Sequence, residues 1–279
     1  MINNINSYLD YQKKINDNVG TANYDNIIAN YLIQYFNYSN ETVLSDIKNL
    51  VLYYKENTNL SNKTINKCIK LLRQVYKFHK LESSDLFEFK LLKEKYTVKR
   101  VIPKEDLKKI FSYIDNINDK GNASTYRMLT YILYDTGVRP NELLNIKTKN
   151  INILERSIYL ETTKTSVPRT IYMSKKITEK LKKYLKKYEN EYLFYNDLKN
   201  RKISKEDLKN YWRRVKKATN IKELNSYMFR HTYITYLVDE DVPMVVTQNQ
   251  VGHQRITTTM LYYHASTKNQ KKHLYNLDR

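Results

Sequence analysis

At 279 residues the chain is long enough for two ordinary domains, and a 41% share of apolar residues supplies each with a core. Its 49 lysines and arginines stand against 29 acids, and the resulting +20 draws polyanions over long range, which makes nucleic acid the first partner to consider. Cys68 is the sole cysteine, so an internal disulfide and a cysteine-built zinc cluster are excluded. No apolar run approaches the roughly 20 residues of a membrane span, and the opening Met1-Ile2-Asn3-Asn4 lacks the basic-then-apolar order of a signal peptide. A cytoplasmic protein without a membrane partner is expected. Codon bias of an AT-rich genome explains the 27 tyrosines, but it leaves the uncompensated charge unexplained.

With only 4 glycines and 4 prolines the chain reads as long helices and few tight turns, a mainly α fold. Ile27, Ile28, Tyr31, Leu32 and Tyr35 recur at helical spacing, and so do Val43, Leu44, Ile47, Leu50, Val51 and Tyr54. A third helix buries Ile65, Ile69, Leu72 and Tyr76; its other side carries Lys63, Lys67, Lys70, Arg73 and Lys77. That stripe suits a phosphate backbone, and equally a solvated lysine-rich face. The segment Lys93 to Pro103 (KEKYTVKRVIP) is basic, through Lys99 and Arg100 among others, and ends in a proline that favours an extended Ile102. It divides the chain into a domain of residues 1–95, a linker of 96–103 and a domain of 104–279. A helix from Lys104 to Ile114, burying Leu107, Ile110, Phe111 and Ile114, opens the second domain; Gly121, Asn122 and Ala123 mark a turn before a helix from Tyr126 to Tyr134. Between Ser157 and Met173 the apolar residues alternate instead, which predicts a β-hairpin with Lys164 near its turn, the only sheet element of any size. Ile177, Leu181, Tyr184, Leu185 and Tyr188 then predict an amphipathic helix whose lysines face water.

Four short segments of the second half carry groups suited to phosphoryl transfer. In Tyr134-Asp-Thr-Gly-Val-Arg139-Pro-Asn-Glu142, Gly137 permits a turn and Pro140 suits the first turn of a helix. Arg139 therefore sits at a helix N-terminus, where a guanidinium adds a phosphate clamp to an end that already favours anions, and Glu142 is placed to orient it. Lys164 in the hairpin, followed by Arg169, is placed to deliver a proton to a leaving oxygen. Tyr227-Met228-Phe229-Arg230-His231 enters a helix whose expected apolar face is Phe229, Tyr233, Tyr236 and Leu237; Arg230 beside that face calls for an anionic partner, which a phosphate supplies. Last come Val251-Gly252-His253 and Thr257 to His264, with an imidazole to donate to a phosphoryl oxygen and phenols able to act as nucleophiles. Each has an ordinary reading when taken alone: a surface ion pair for Arg139 and Glu142, an exposed lysine for Lys164, a zinc site for the histidines. No cysteine lies near those histidines, and no carboxylate stands at matching spacing.

In order and spacing these segments resemble the tyrosine recombinases, the family of phage integrases and Xer-type resolvases. Its motif Thr-Gly-x-Arg-x-x-Glu-Leu stands here as Thr136-Gly137-Val138-Arg139-Pro140-Asn141-Glu142-Leu143. Its hairpin lysine matches Lys164, its arginine-histidine pair matches Arg230-His231, and its Leu-Gly-His matches Val251-Gly252-His253. The family's nucleophile follows that histidine by nine residues, and 253 plus 9 selects Tyr262 over Tyr263. His264 matches a histidine common two residues beyond. One place departs from the pattern: three residues before Arg230, where a histidine is usual, stands Tyr227. The resemblance implies that the Tyr227 hydroxyl takes that role, or that the step does without it.

The resemblance is specific over residues 104–279 and looser over 1–95. It implies a two-domain architecture, a helical core-binding domain and a mostly helical catalytic domain with a small β-hairpin. It implies cleavage and rejoining of duplex DNA through a 3′-phosphotyrosine on Tyr262, without metal or cofactor. Arg139, Arg230 and His253 would stabilise the non-bridging oxygens, Lys164 would protonate the leaving 5′-oxygen, and Glu142 would position Arg139. Lys63, Lys67, Lys70, Arg73, Lys77, Lys99, Arg100 and Arg169 are the expected nucleic-acid contacts. Assembly to a dimer or tetramer on DNA follows by the same analogy, with Lys268 to Arg279 packing on a neighbour. Two other readings use the same residues: a catalytically weakened DNA-binding regulator, and a type IB topoisomerase-like enzyme.

Overall fold

Between α1 (Ile2–Ile15) and a short α5 (Ser84–Glu88), neither of which the spacings predict, the three helical spacings of the first hundred residues become α2 (Val19–Ser39), α3 (Ile47–Asn57) and α4 (Asn62–Phe78). The computed structural model describes residues 1–15, 19–94, 100–117, 122–161 and 167–265. The chain forms two compact units, Met1–Thr97 and Val98–Arg279. Among the described residues no helix is long and apolar enough to cross a membrane.

In the first unit Ile28, Leu32 and Tyr35 of α2 pack with Leu50, Val51 and Tyr54 of α3 and Ile65, Ile69, Leu72 and Tyr76 of α4. Helix α3 starts later than its spacing predicts. Asp46 caps it by accepting from the Lys48 amide at 2.7 Å, so Val43 and Leu44 lie upstream as non-helical chain. Leu44 is buried all the same, and its amide donates to the Tyr76 hydroxyl at 3.0 Å. Burial without helix explains why the apolar pattern ran on past the cap.

The second unit contains α6 (Lys104–Asn116), α7 (Ala123–Thr136), the one-turn α8 (Pro140–Leu143), α9 (Lys175–Leu185), α10 (Lys205–Thr219), α11 (Ser226–Asp239), α12 (Met244–Val251) and α13 (Ile256–Ala265). Its strands are β1 (Ile151–Asn152), β2 (Ser157–Leu160), β3 (Arg169–Tyr172), β4 (Tyr195–Asn196) and β5 (Arg201–Lys202). The predicted hairpin is β2 paired antiparallel with β3, Ile158 opposite Ile171, and β1 adds a third strand. The small β4–β5 sheet was not expected; strands of two residues are too short to show an alternating pattern. Ile102 is buried and its amide donates to the Thr232 hydroxyl at 2.8 Å, so the end of the expected linker is already part of this unit's core.

On α11 the buried residues are Ser226, Met228, Phe229, Arg230, Ile234 and Val238, whereas Tyr236 is exposed. The expected face is thus turned, and the turn places Arg230 inward. On α9 Lys180 departs from its fellow lysines, lying 4.3 Å over the Tyr131 ring and donating to its hydroxyl at 3.2 Å.

Asn66 of α4 is buried and pins the following segment at two points, accepting from the Leu92 amide at 2.9 Å and donating to the Leu92 carbonyl at 2.9 Å. Asn66→Ala leaves both Leu92 groups without those partners, and urea unfolding should show a loss of about 1–3 kcal/mol. An unchanged midpoint would show that the pinning contributes nothing.

Candidate active site

The site grows from the end of α7. Gly137 closes that helix at φ 59°, and a Cβ there would run into the Tyr233 ring. The chain then reverses through Arg139, the cap residue of α8, with Pro140 in the first helical position. Glu142, one turn on and 3% exposed, accepts from the Arg139 amide at 3.1 Å and from Arg139 Nη1 at 3.0 Å. It also accepts from Arg169, Nη1 at 2.9 Å and Nη2 at 2.8 Å. Burial alone would push its carboxyl up; the hydrogen bonds and charge of Arg169, with those of Arg139, outweigh that and hold it at about 2. Because α8 is a single turn its dipole is small, so the guanidiniums, not the helix end, make this corner attractive to anions.

Arg169 corrects an expectation. Placed on DNA by the sequence, it instead braces Glu142 and also donates to the Val251 carbonyl at 3.1 Å and the Gln250 carbonyl at 3.4 Å. Those bonds commit most of its five N–H groups. The brace depends on Gly252, which closes α12 at φ 70° and where a Cβ would overlap the Arg169 guanidinium. The Gly252 carbonyl in turn accepts from Arg139 Nη2.

Arg230 is buried, and its Nη1 donates to the Gly137 carbonyl at 2.7 Å. Its Nη2 is buried with no hydrogen-bond partner among the described residues. Burial, then the nearby charge of Arg139, lowers this guanidinium to about 9. Glu142 thus pairs with two guanidiniums, Arg139 and Arg169, while the third, Arg230, makes no ion pair among the described residues.

His253 follows Gly252. Burial first, then Arg230, Arg139, His231 and Arg169, hold its imidazole down at about 3, so it is neutral at pH 7. Its Nδ1 is 2.8 Å from the hydroxyl of the buried Thr259. Tyr262 on α13 hydrogen-bonds through its hydroxyl to Nδ1 of His231. Its ring centroid lies 5.9 Å from that of His231 and 6.3 Å from that of His253. The Tyr263 hydroxyl donates elsewhere, to the Val242 carbonyl. Of the two adjacent phenols only Tyr262 meets the histidines.

The structure thus gathers Arg139, Glu142, Arg230, His253 and Tyr262. Tyr227, on the first turn of α11, is 50% exposed, and its hydroxyl has no hydrogen-bond partner among the described residues. Lys164, Lys99 and the segment 268–279 lie outside the described residues, and so does the His264 side chain. His231 and Thr259 are additions; only the adjacency of His231 to Arg230 in the motif pointed toward either. In the first unit Lys63, Lys70 and Lys77 are exposed and Lys67 is half-buried. Arg73 leaves the predicted stripe: it donates to the Leu86 carbonyl at 2.8 Å and the Phe89 carbonyl at 2.5 Å, fastening α5 to α4. Arg100 forms an exposed ion pair with Glu223.

Residues 100–269, which hold every member of this cluster, match the phage integrase family. The chain belongs to that family. A probable integrase/recombinase of Acholeplasma phage L2 is 29% identical over 220 residues, covering 78% of this chain and 76% of the phage protein. The tyrosine recombinase XerA of Pyrococcus horikoshii is 29% identical over 212 residues, covering 75% of this chain and 71% of XerA. In fold, the chain is similar to the integrase of transposon Tn1549 solved in complex with circular intermediate DNA, with a TM-score of 0.77, 20% identity and 99% of both chains covered. The integrase-family fold is therefore mainly helical with small antiparallel sheets, as the sequence led us to expect.

The depressed Glu142 carboxyl fixes a pH dependence. Its ordinary value of 4.5 falls to about 2 in the folded chain, so the unfolded chain takes up the proton first as pH drops. The stabilisation, on the order of 3 kcal/mol, is complete above pH ~4.5 and is lost as pH falls toward ~2. Urea unfolding of Glu142→Gln should show a deficit of about that size at pH 7 that narrows below pH ~4.5. A deficit that stays constant with pH would show that the carboxylate's charge is not what holds the arginines.

Proposed function

We propose that this protein is a site-specific recombinase that cuts and rejoins duplex DNA, with Tyr262 as the nucleophile. The observation that carries the reading is the buried Arg230 Nη2, with no hydrogen-bond partner among the described residues, in a cluster of guanidiniums whose charges act together with Tyr262. A phosphodiester supplies the missing anion. One non-bridging oxygen takes the second N–H group of Arg230, the other is shared by Arg139 and neutral His253, and Glu142 with Arg169 holds Arg139 in place. Tyr262 attacks phosphorus in line, leaving a 3′-phosphotyrosine and a 5′-hydroxyl. Lys164 is assigned the protonation of that leaving oxygen by its place in the family's motif.

The exposed lysines of α4, with those of the second unit, supply sequence-independent phosphate contacts, and residues 1–95 act as a DNA-binding domain in addition to the catalytic one. The enzyme works in the cytoplasm, as a dimer or tetramer on its site. Conservation of bond energy in the phosphotyrosine ester supports exchange without ATP or a cofactor. A weakened regulator is disfavoured, because Arg139, Glu142, Arg230, His253 and Tyr262 meet with their hydrogen bonds in place.

Trapping on nicked duplexes carrying the sequences that flank the encoding gene tests the nucleophile. Wild type and Tyr263→Phe should form a covalent adduct on the 3′-phosphate of the strand to the 5′ side of the nick, as the short 5′-hydroxyl fragment is released, and Tyr262→Phe should form none. Adduct from Tyr262→Phe, with none from Tyr263→Phe, would reassign the nucleophile to the neighbour.

A further inference from the structure

We propose that His231 is the general base of the reaction, taking the phenolic proton of Tyr262 as that oxygen attacks phosphorus and returning it when the strand is rejoined. The proposal rests on Tyr262 being the nucleophile. Successive residues of a helix point about 100° apart, so on α11 the chain sends Arg230 inward to the Gly137 carbonyl while His231, half-buried, turns to α13. There His231 Nδ1 and the Tyr262 hydroxyl share a hydrogen bond. The phenol is the donor when the imidazole carries its proton on Nε2, which leaves the Nδ1 lone pair facing the proton that must depart.

The other described groups of the cluster are engaged differently. His253 meets Tyr262 ring to ring, with centroids 6.3 Å apart at 22°, and its Nδ1 is engaged by Thr259. Burial first, and then the surrounding cations, hold it near 3 and make it a weak proton acceptor. Glu142 already accepts four hydrogen bonds from Arg139 and Arg169. The Tyr227 hydroxyl has no partner among the described residues.

The step balances within the site. The Tyr262 O–H proton passes to His231 Nδ1 while the new bond from Tyr262 oxygen to phosphorus forms; the bond from phosphorus to the 5′-oxygen breaks, and that oxygen takes a proton from the general acid. Rejoining reverses each transfer, so His231 re-protonates the departing phenolate and no net proton is consumed.

Cleavage rates and DNA affinity should be measured on the same nicked duplexes for wild type, His231→Ala and His231→Asn, with and without imidazole. Asparagine keeps a hydrogen-bond acceptor near the Nδ1 position but takes up no proton. Both variants should bind DNA as wild type does and cleave about 10²–10⁴-fold more slowly, with imidazole restoring part of the rate to His231→Ala. Wild-type rate in His231→Asn would reduce His231 to a positioning residue. Wild-type rate in His231→Ala, or no imidazole rescue of a variant that still binds DNA, would remove it from proton transfer. Adduct persisting in Tyr262→Phe would overturn the nucleophile beneath the proposal, a result separate from any effect at His231.

Discussion

A carboxylate shared by two guanidiniums organises the catalytic unit. Glu142 is buried, and four hydrogen bonds from Arg139 and Arg169 saturate its oxygens. Removing two such cations and an acid from water is costly, and the arrangement persists because every lone pair of the acid is used. The surplus is what matters for function. With one carboxylate for Arg139, Arg169 and Arg230, the cluster keeps positive charge that no described side chain neutralises.

Two glycines make the geometry possible. Gly137 and Gly252 each end a helix in the left-handed region, and each turns a carbonyl toward an arginine: Gly137 to Arg230, Gly252 to Arg139. Helix ends expose unpaired carbonyls as a matter of course. Here those carbonyls orient the cations that would grip a phosphate, and the turn after Gly252 delivers His253 beside them. The same closures that stop α7 and α12 therefore position the chemistry.

What the sequence made legible follows from distance along the chain. Arg139 and Glu142 lie three residues apart on one turn, so their ion pair is a local property. The brace from Arg169 spans 27 residues and depends on where β3 lies against α12, which no local pattern encodes. Arg73 misled for a related reason: its side chain fits a basic stripe by spacing, yet it reaches two carbonyls of the chain around α5. Tyr227, the departure from the family's motif, lies one helical turn before His231, and it is His231 that meets the phenol, a contact across 31 residues that no local pattern encodes. On α11 apolar spacing assigns Tyr236 to the core, whereas the apolar side chains buried there are Met228, Phe229, Ile234 and Val238.

The most direct measurement is the location of the covalent bond. After trapping on DNA, nuclease trimming and proteolysis, mass spectrometry of the peptides should find a nucleotide 3′-phosphate on Tyr262 and on no other of the 27 tyrosines. A nucleotide on Tyr263, or on a tyrosine remote from Arg230 and His231, would contradict the account.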